Sequence, residues 1–371
     1  MAKKKNKKGT PFYKKIITTL SVLSVSGLWL SAGSAYINPG HFRFLSIMGL
    51  AFPFLLVAAG LMFLACLLAA RNRIWIPLVG MAVCFLSIRA YIPINLPSPA
   101  PKSSYKFMTY NTMGFASYAN GAKSEECQTL VSHVLNSNLD FFCFQEGHSN
   151  PQTFLKDDFF KKAQKTMPYC EAYPIEANVL GCCSKYPIVK TELLCKQGMN
   201  GVVAFHILLG EKDTLRVINC HLQSMGLTED ERSRYHEMVK HPEKNEGMEE
   251  HSRLLVSKIT RATVKRAAQV DTVAAYVEQH KGKSIIVCGD FNDTPISYAH
   301  RRIHDTGLTD AFGATGNGTG RSFNRDGIYV RIDHMFCSND WKPYGFHIDQ
   351  SITSSDHYPL VGYIDRIRHK K

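Results

Sequence analysis

Ile285-Ile-Val-Cys-Gly-Asp-Phe-Asn-Asp293 is a short apolar run that ends at a carboxylate, and the same arrangement recurs along the chain. Three β-branched residues followed by Cys suit a buried strand. A carboxylate set against such a run is costly unless it is paired or bound to a cation. On its own, Asp-Phe-Asn reads as a turn, because Asp and Asn cap and bend chains. Working outward, however, Phe107-Met-Thr-Tyr ends at Asn111, Phe141-Phe-Cys-Phe-Gln at Glu146, and Val217-Ile-Asn-Cys at His221. Arg331-Ile leads into Asp333, and Ser354-Ser into Asp356-His357. Asn292 follows Asp290 by two positions and shares its face if the strand continues. These six strand ends carry four carboxylates, two amides and two imidazoles toward one cleft.

Oxygen ligands of this kind favour Mg²⁺, Mn²⁺ or Ca²⁺ over zinc. No His-Glu-x-x-His, Gly-x-Ser-x-Gly, P-loop or Cys-x-x-Cys pattern competes. Further strand-like runs are Lys106–Tyr110, Val202–Leu208, Leu215–Cys220, His334–Cys337 and Tyr358–Ile364, and helical spacing marks Glu125–Ser137 and Glu249–Gln279. The class is α/β or α+β, built on substantial sheet. Asp230–Arg234 and Pro242–Gly247 lie in a polar stretch that reads as a surface insertion. Lys258, Arg261 and Lys265 share a helical face, read as solvated surface, with phosphate or anionic headgroups as the alternative. Gly313, Gly316, Gly318 and Gly320 form a flexible loop, with a substrate lining as the alternative. Cys143, Cys220, Cys288 and Cys337 read as packing. Tyr118 and His148 sit near strand ends and receive no role.

The 371 residues exceed what one core of about 250–300 residues holds. A content of 45% hydrophobic and 20% charged residues excludes a disordered chain. The net charge of +13 is unevenly placed: residues 1–100 hold 11 Lys or Arg and no acid, and the remainder is nearly balanced. The excess is a topology signal rather than a nucleic-acid footprint. Ile16–Tyr36 and Phe44–Ala70 are long enough to cross a bilayer, which takes about 20 helical residues. Ile74–Ile92 is shorter, and its Arg89 can snorkel to the interface. Three spans are expected, or two with a half-inserted third. Lys3, Lys4, Lys5, Lys7, Lys8, Lys14 and Lys15, with Arg71 and Arg73, place the N-terminus and the second hairpin in the cytoplasm. Three crossings then put the remainder outside, as a multi-pass protein of the cell membrane with an extracytoplasmic C-terminal domain. Residues 1–92 form the anchor, 93–104 a linker and 105–365 that domain. Pro93, Pro97, Pro99 and Pro101 make the linker a stiff spacer that holds the domain off the bilayer. An odd number of Cys outside the spans sits uneasily with export, and the adjacent Cys182 and Cys183 do not suit a bridge to each other.

Tyr110-Asn111, Gln145-Glu146, Asn219-Cys-His-Leu222, Gly289-Asp-Phe-Asn-Asp293, Ile332-Asp-His334 and Ser355-Asp-His-Tyr-Pro359 stand in the order of the endonuclease/exonuclease/phosphatase superfamily. Residues 105–365 resemble that superfamily, which includes pancreatic deoxyribonuclease, abasic-site endonucleases, inositol polyphosphate 5-phosphatases and neutral sphingomyelinases. The resemblance implies a four-layer sandwich of two mixed sheets flanked by helices, here preceded by three transmembrane helices. It also implies a metal-dependent phosphoester hydrolase. Glu146 resembles the principal Mg²⁺ (or Mn²⁺) ligand, with Asp356 adding directly or through water. Asp290 resembles the group that orients or deprotonates the attacking water. Asn111 and Asn292 match contacts to phosphate, water and metal. His357 resembles the imidazole on a phosphoryl oxygen, its tautomer fixed by Asp333. His221 stands where deoxyribonuclease-like and phosphatase-like members carry a second imidazole and abasic-site endonucleases a Tyr. The implied reaction is in-line attack of water on a phosphoester. The implied partners are the lipid bilayer and a lipid headgroup, small phosphoester or nucleic acid; no protein partner is inferred. An extracytoplasmic nuclease is the alternative, and a catalytically silent scaffold a weaker one.

Overall fold

A computed structural model describes residues 11–116, 124–147, 159–211, 213–226, 228, 230–231, 233–234, 248–325 and 328–367. Lys3–Lys8, Tyr118, His148 and Pro242–Gly247 lie outside the described residues. In chain order the strands are β1 (Tyr105–Asn111), β2 (Phe141–Gln145), β3 (Tyr169–Ile175), β4 (Asn178–Ser184), β5 (Ile188–Gln197), β6 (Asn200–Gly210) and β7 (Asp213–His221). They continue with β8 (Ser284–Asp290), β9 (Thr309–Asp310), β10 (Phe323–Arg325), β11 (Ile328–Val330), β12 (Asp333–Cys337), β13 (Trp341–Ile348) and β14 (Leu360–Arg366). One six-stranded sheet has the order β13-β14-β1-β2-β4-β3, the other β5-β6-β7-β8-β12-β9. The pairs β1–β2 and β7–β8 are parallel, and β8–β12 is antiparallel.

The two-residue period of strands builds the layers. Phe107, Phe141, Cys143, Val217, Ile286, Cys288 and Met335 point inward and fill the space between the sheets. Met108, Tyr110, Phe142 and Phe144 point outward, packing with Leu130, Val131 and Val134 of helix Glu125–Asn136. Ser124 caps that helix by accepting from the Cys127 amide. Ile218, Cys220, Ile285 and Val287 pack on Val270, Val273, Ala274 and Val277 of helix Met248–Gln279. The result is the four-layer sandwich. Asn111, Gln145, Asn219, His221, Asp290 and Asp333 share the inward parity of the core residues on their own strands.

The sheet edges β3, β5, β9 and β13 were not legible as strands, and neither were the interior β4 or the β10–β11 hairpin. Edge strands lack the continuous apolar runs of buried ones. Pro174 and Pro343 are tolerated because β3 and β13 lie at edges. Cys170 and Cys183 are register partners on β3 and β4 and form a disulfide. Cys143, Cys220, Cys288 and Cys337 are buried free thiols.

The apolar helices match the expected two or three spans, the third with a bend. Two helices, Phe12–Tyr36 and Arg43–Ala69, are long and apolar enough to span a membrane. The third stretch is a pair, Arg71–Val83 and Phe85–Tyr91, bent by 61°. Arg89, in the second piece, folds onto the linker, donating to Ile94 O (2.5 Å) and Asn95 Oδ1 (3.1 Å). Ser21, Ser24, Val25, Leu28, Ser31 and Ala32 form the buried seam of the first helix, where small residues let helices approach. Leu23, Phe54, Val57, Leu61, Leu68 and Val83 are exposed, an apolar surface suited to lipid.

The linker is not a spacer. Asn95 Nδ2 donates to Gly313 O (3.1 Å) and Gly316 O (2.6 Å), and the Gly318 amide donates to Pro93 O (2.9 Å). The glycine loop is thus a seat for the linker. Asn38 Nδ2 donates to Tyr298 Oη (3.1 Å), Arg301 Nη1 to Tyr36 Oη (3.0 Å), and Arg331 to Ala90 O. The α/β domain is docked directly on the N-terminal apolar helices.

Gly289 has φ +124°, and a Cβ there would stand 2.1 Å from the Cys220 carbonyl oxygen on β7. Backbone cannot rotate away as a side chain can. Gly289→Ala is expected to destabilise the fold by at least about 2 kcal/mol, read as a lower denaturant midpoint of the full chain. An unchanged midpoint would refute this account of the β7–β8 contact.

Candidate active site

Parallel strands end at the same edge, so β7 and β8 deliver their last residues side by side. His221 pairs in register with Asp290 across β7–β8, and Asp333 pairs with Asp290 across β8–β12. Asn111 comes from the facing sheet and closes the gap. Its Nδ2 donates to Asp290 Oδ2 (3.1 Å) and to Glu146 Oε1 (3.0 Å). Beneath this layer, Gln145 Nε2 donates to Asn219 Oδ1 (2.6 Å), and Asn219 Nδ2 donates to Phe144 O and Gly181 O. That buried clasp ties the sheets together under the cleft.

Asn292 arrives by a different route from the one expected. β8 stops at Asp290, and Asn292 adopts φ 51°. The chain turns back, so the Asn292 amide donates to Asp290 Oδ1 (2.8 Å) and its Nδ2 to Asp290 Oδ2 (3.1 Å). An Asx-type turn, not strand alternation, places it here.

Asp290 is 1% exposed. Burial pushes its carboxyl up to about 6; Asp333 adds to the rise, while His357, His221 and the Asn292 amide oppose it. His357 Nδ1 lies 2.8 Å from Asp333 Oδ2, and its Nε2 lies 3.7 Å from Asp290 Oδ2. Burial works against charge on this ring, but Asp333 and Asp290 outweigh it, and its pKa is pushed up to about 10. His357 is therefore an imidazolium at neutral pH. Its ring rests edge-on against Phe323 of the β10–β11 hairpin (5.1 Å).

The second imidazole is tuned the other way. Burial lowers His221, with Asp290 opposing and His357 reinforcing. Asn178 Nδ2 lies 2.9 Å from His221 Nδ1, and the Asn178 amide orientation is fixed because its Oδ1 accepts from the Val179 amide. Nδ1 accordingly accepts, and the proton of the neutral ring belongs on Nε2. That atom lies 3.5 Å from Glu146 Oε1 and 3.7 Å from Asp290 Oδ2.

Glu146 and Asp356 lie nearer the mouth, with side chains 31% and 17% exposed. Glu146 holds a left-handed backbone, φ 50°, unusual for a residue with a side chain. Arg325 Nη1 stands 3.7 Å from Asp356 Oδ2. Oxygen donors that are partly open to the cleft fit a hard divalent cation. Asp290, Asp333 and His357 also offer ligand atoms within 4.8 Å of one another. A ring protonated on both nitrogens has no lone pair to give, so this inner group fits a proton-holding role better. Sequence reasoning missed Asn178, Asn200, Ser355 and Arg325. Ser355 Oγ donates to Asn111 O (2.8 Å). Gln145 and Asn219 stood inside the quoted motifs, and their inward parity was the available signal.

Known proteins bear on this arrangement. The model of the Endonuclease/Exonuclease/phosphatase family matches residues 108–357, and a domain of unknown function matches residues 14–91. No curated protein matches. Among solved structures, an endonuclease/exonuclease/phosphatase from Beutenbergia cavernae is 13% identical, with 71% of this chain and 72% of that one covered and a TM-score of 0.49. The human Nocturnin catalytic domain is 14% identical, with 74% and 96% covered and a TM-score of 0.49. A mannosyl-6-phosphatase from Bacteroides thetaiotaomicron is 16% identical, with 71% and 100% covered and a TM-score of 0.48. Likeness at these identities assigns no substrate. The family model spans most of the chain and takes in every strand end of the cleft, so the chain belongs to the Endonuclease/Exonuclease/phosphatase family.

Proposed function

We propose that the protein is a membrane-anchored, divalent-metal-dependent phosphoester hydrolase that attacks its substrate with water. The observation that carries this reading is Asp290, a buried carboxylate poised as a base between a charged His357 and a neutral His221. Asp290 orients the water and takes its proton, because a group near pKa 6 is ionised at neutral pH yet still basic. His357 presents its Nε2 proton to the phosphoryl oxygen as negative charge develops, and Asp333 keeps that ring charged and oriented. His221 Nε2–H faces a remaining phosphoryl oxygen, and the Asn111 and Asn292 amides, which donate to Asp290, Glu146 and Leu222 O, hold the base in place. Glu146, with Asp356, would hold Mg²⁺ or Mn²⁺, which supplies charge neutralisation at the phosphate when bound. Every other role belongs to the chain itself.

The position of the cleft supports one reading of the substrate class. The anchor segment Ser46–Leu50 and Asn292 line one shared cavity, so one residue of the cleft stands beside the anchor. A phospholipid or other phosphoester headgroup is favoured for that reason. The nucleic-acid alternative requires a basic cleft and steep salt dependence, and the near-neutral charge of residues 101–371 speaks against it. Topology follows similarly. The segments at Tyr36–Leu50 and Ala90–Asn95 both touch the domain, whereas Arg71–Arg73 join the far ends of the second helix and the bent pair. The domain then lies on the side opposite Lys14, Lys15, Arg71 and Arg73, outside the cell. The Cys170–Cys183 disulfide supports an oxidising compartment.

Three measurements test this reading. A reporter that works only in the cytoplasm, fused after Lys371, is expected to stay silent; activity would place the domain inside. Purified full-length protein screened against phospholipid, inositol-phosphate and DNA substrates is expected to hydrolyse the phospholipid with added Mg²⁺ or Mn²⁺. Glu146→Gln should lower that activity by about a hundredfold while leaving unfolding unchanged, and full activity in chelator would sink the mechanism. Finally, activity should rise through an acid limb near pH 6 as Asp290 ionises and fall near pH 10 as His357 loses its proton. Asp333→Asn removes the anion that raises His357, so the alkaline limb should move down by more than one unit toward 6.5. An alkaline limb that stays in place would separate Asp333 from His357's charge.

A further inference from the structure

Helix Phe52–Ala69 has 18 residues, about 27 Å of helix, which nearly matches the hydrocarbon core of a bilayer. The domain meets its near end. Phe52 is buried in one cluster with Ile296, and a Cβ on Gly49 would stand 1.9 Å from Ile296 O. Residues 42–50 thus stand at headgroup level, between hydrocarbon and domain. Yet Phe42, Phe44, Leu45 and Leu50 are exposed, Phe42 and Phe44 by 62% and 63%.

The first turns of helix Met248–Gln279 reach the same place. Ile259 and Thr263 line one cavity with Ser46, Ile47 and Leu50. Val256 lies one turn before Ile259 on the same side of the helix, and Val256 and Leu254 are both exposed. None of residues 252–261 is buried, whereas Val270, Val273 and Ala274 further along pack on the sheet. Between Ser252 and Val270 stand five Lys or Arg and no acid. Arg253 pairs with Glu249, Lys258 with Glu231, and Arg266 is buried beside Asp293. Arg261 and Lys265 are exposed one turn apart, and Arg43 is exposed on the anchor segment.

Single apolar side chains on a surface need no explanation, but six large ones on two adjoining segments do. Here they are edged by three open cations and are continuous with helix Phe52–Ala69, on which Phe54 and Val57 are exposed. Lipid matches both chemistries. Acyl chains take the apolar groups, and phosphates take Arg and Lys, as for an amphipathic helix lying in the interface.

We propose that the first turns of helix Met248–Gln279, together with residues 42–50, rest on the bilayer as an interfacial platform. Phe44 and Val256 meet acyl chains, and Arg43, Arg261 and Lys265 meet anionic headgroups. The platform rests on the membrane anchoring proposed above and not on the chemistry of the cleft. It also sets the height of the cleft over the lipid. The Gln223 amide, two residues beyond His221, donates to Gln269 Oε1 of the same helix (2.8 Å).

The test uses the full chain in proteoliposomes of phosphatidylcholine, with or without phosphatidylglycerol. The photo-crosslinking residue p-benzoylphenylalanine replaces Phe44, Val256, Phe54 or Val189 one at a time. Phe54 reports on the span, and Val189, 57% exposed on the edge strand β5, is the control. Mass spectrometry is expected to show lipid adducts at Phe44, Val256 and Phe54 and none at Val189. Phosphatidylglycerol should raise the yield at Val256 at least about twofold. Arg261→Gln with Lys265→Gln should abolish that rise and leave Phe54 unaffected. Adducts at Phe54 but not at Val256 overturn the platform and leave the anchor; absence at both overturns both. Crosslinks between two copies at Val256 in place of lipid would make the patch a contact between chains and overturn the proposal. A yield indifferent to phosphatidylglycerol would overturn the role of Arg261 and Lys265. Unfolding midpoints are expected to stay unchanged, and if the Phe44 variant fails to fold, Val256 decides.

Discussion

A carboxylate buried between two sheets must be matched by donors and by positive charge, and the cleft is arranged around that requirement at Asp290. Solvent cannot do it at 1% exposure. Three hydrogen bonds from Asn111 and Asn292 and two flanking imidazoles do it instead. Each partner is in turn constrained. His357 is held by Asp333, His221 by Asn178, and Asn111 by sharing its amide with Glu146. The same compensation that makes the fold tolerate a buried acid leaves one imidazole charged and the other neutral. The opposite tuning of the two imidazoles is thus a consequence of burial and register rather than an addition to them.

Register explains why so much of this could be read from the chain. Core and site residues alternate on the same strands with a period of two, so an apolar run ending in Asn111, His221 or Asp290 already carries its direction. The interior strands β1, β2, β7, β8 and β12 announced themselves as continuous apolar runs. The edges β3, β5, β9 and β13 did not, because half of each edge strand meets water and its composition looks like loop. Asn292 was located correctly but for the wrong geometric reason: a turn with positive φ cannot be deduced from two-residue spacing. Asn178 and Asn200 were invisible for a deeper reason. Nothing in an Asn beside a hairpin says that it will lie against an imidazole some 20 or 40 positions away.

The linker shows a different limit. Four prolines in nine residues describe a stiff, extended segment, and stiffness by itself reads as separation. Stiffness is equally suited to being laid against a surface, since an extended backbone exposes groups that a partner must satisfy. Asn95 and Pro93 find those partners in the loop containing Gly313, Gly316 and Gly318. Composition specified the conformation of the segment and left its location open.

Direct docking changes what the anchor is. Arg331 reaches the carbonyl of Ala90 at the end of the bent helical pair and the carbonyl of Thr319. Two residues further along the same chain, Asp333 holds His357. On the other side, Gly49 meets Ile296, which follows Asn292 by four positions. Both contacts fall within a few residues of groups that surround Asp290. A tether acts only by raising local concentration near the bilayer, and any hydrophobic segment would serve for that. A docked anchor also sets the orientation of the cleft and supports the backbone on both sides of Asp290. Removing it would leave the buried Arg331 guanidinium without one of its acceptors and uncover Ile296. The N-terminal helices and the α/β domain are therefore joined through the backbone that builds the cleft.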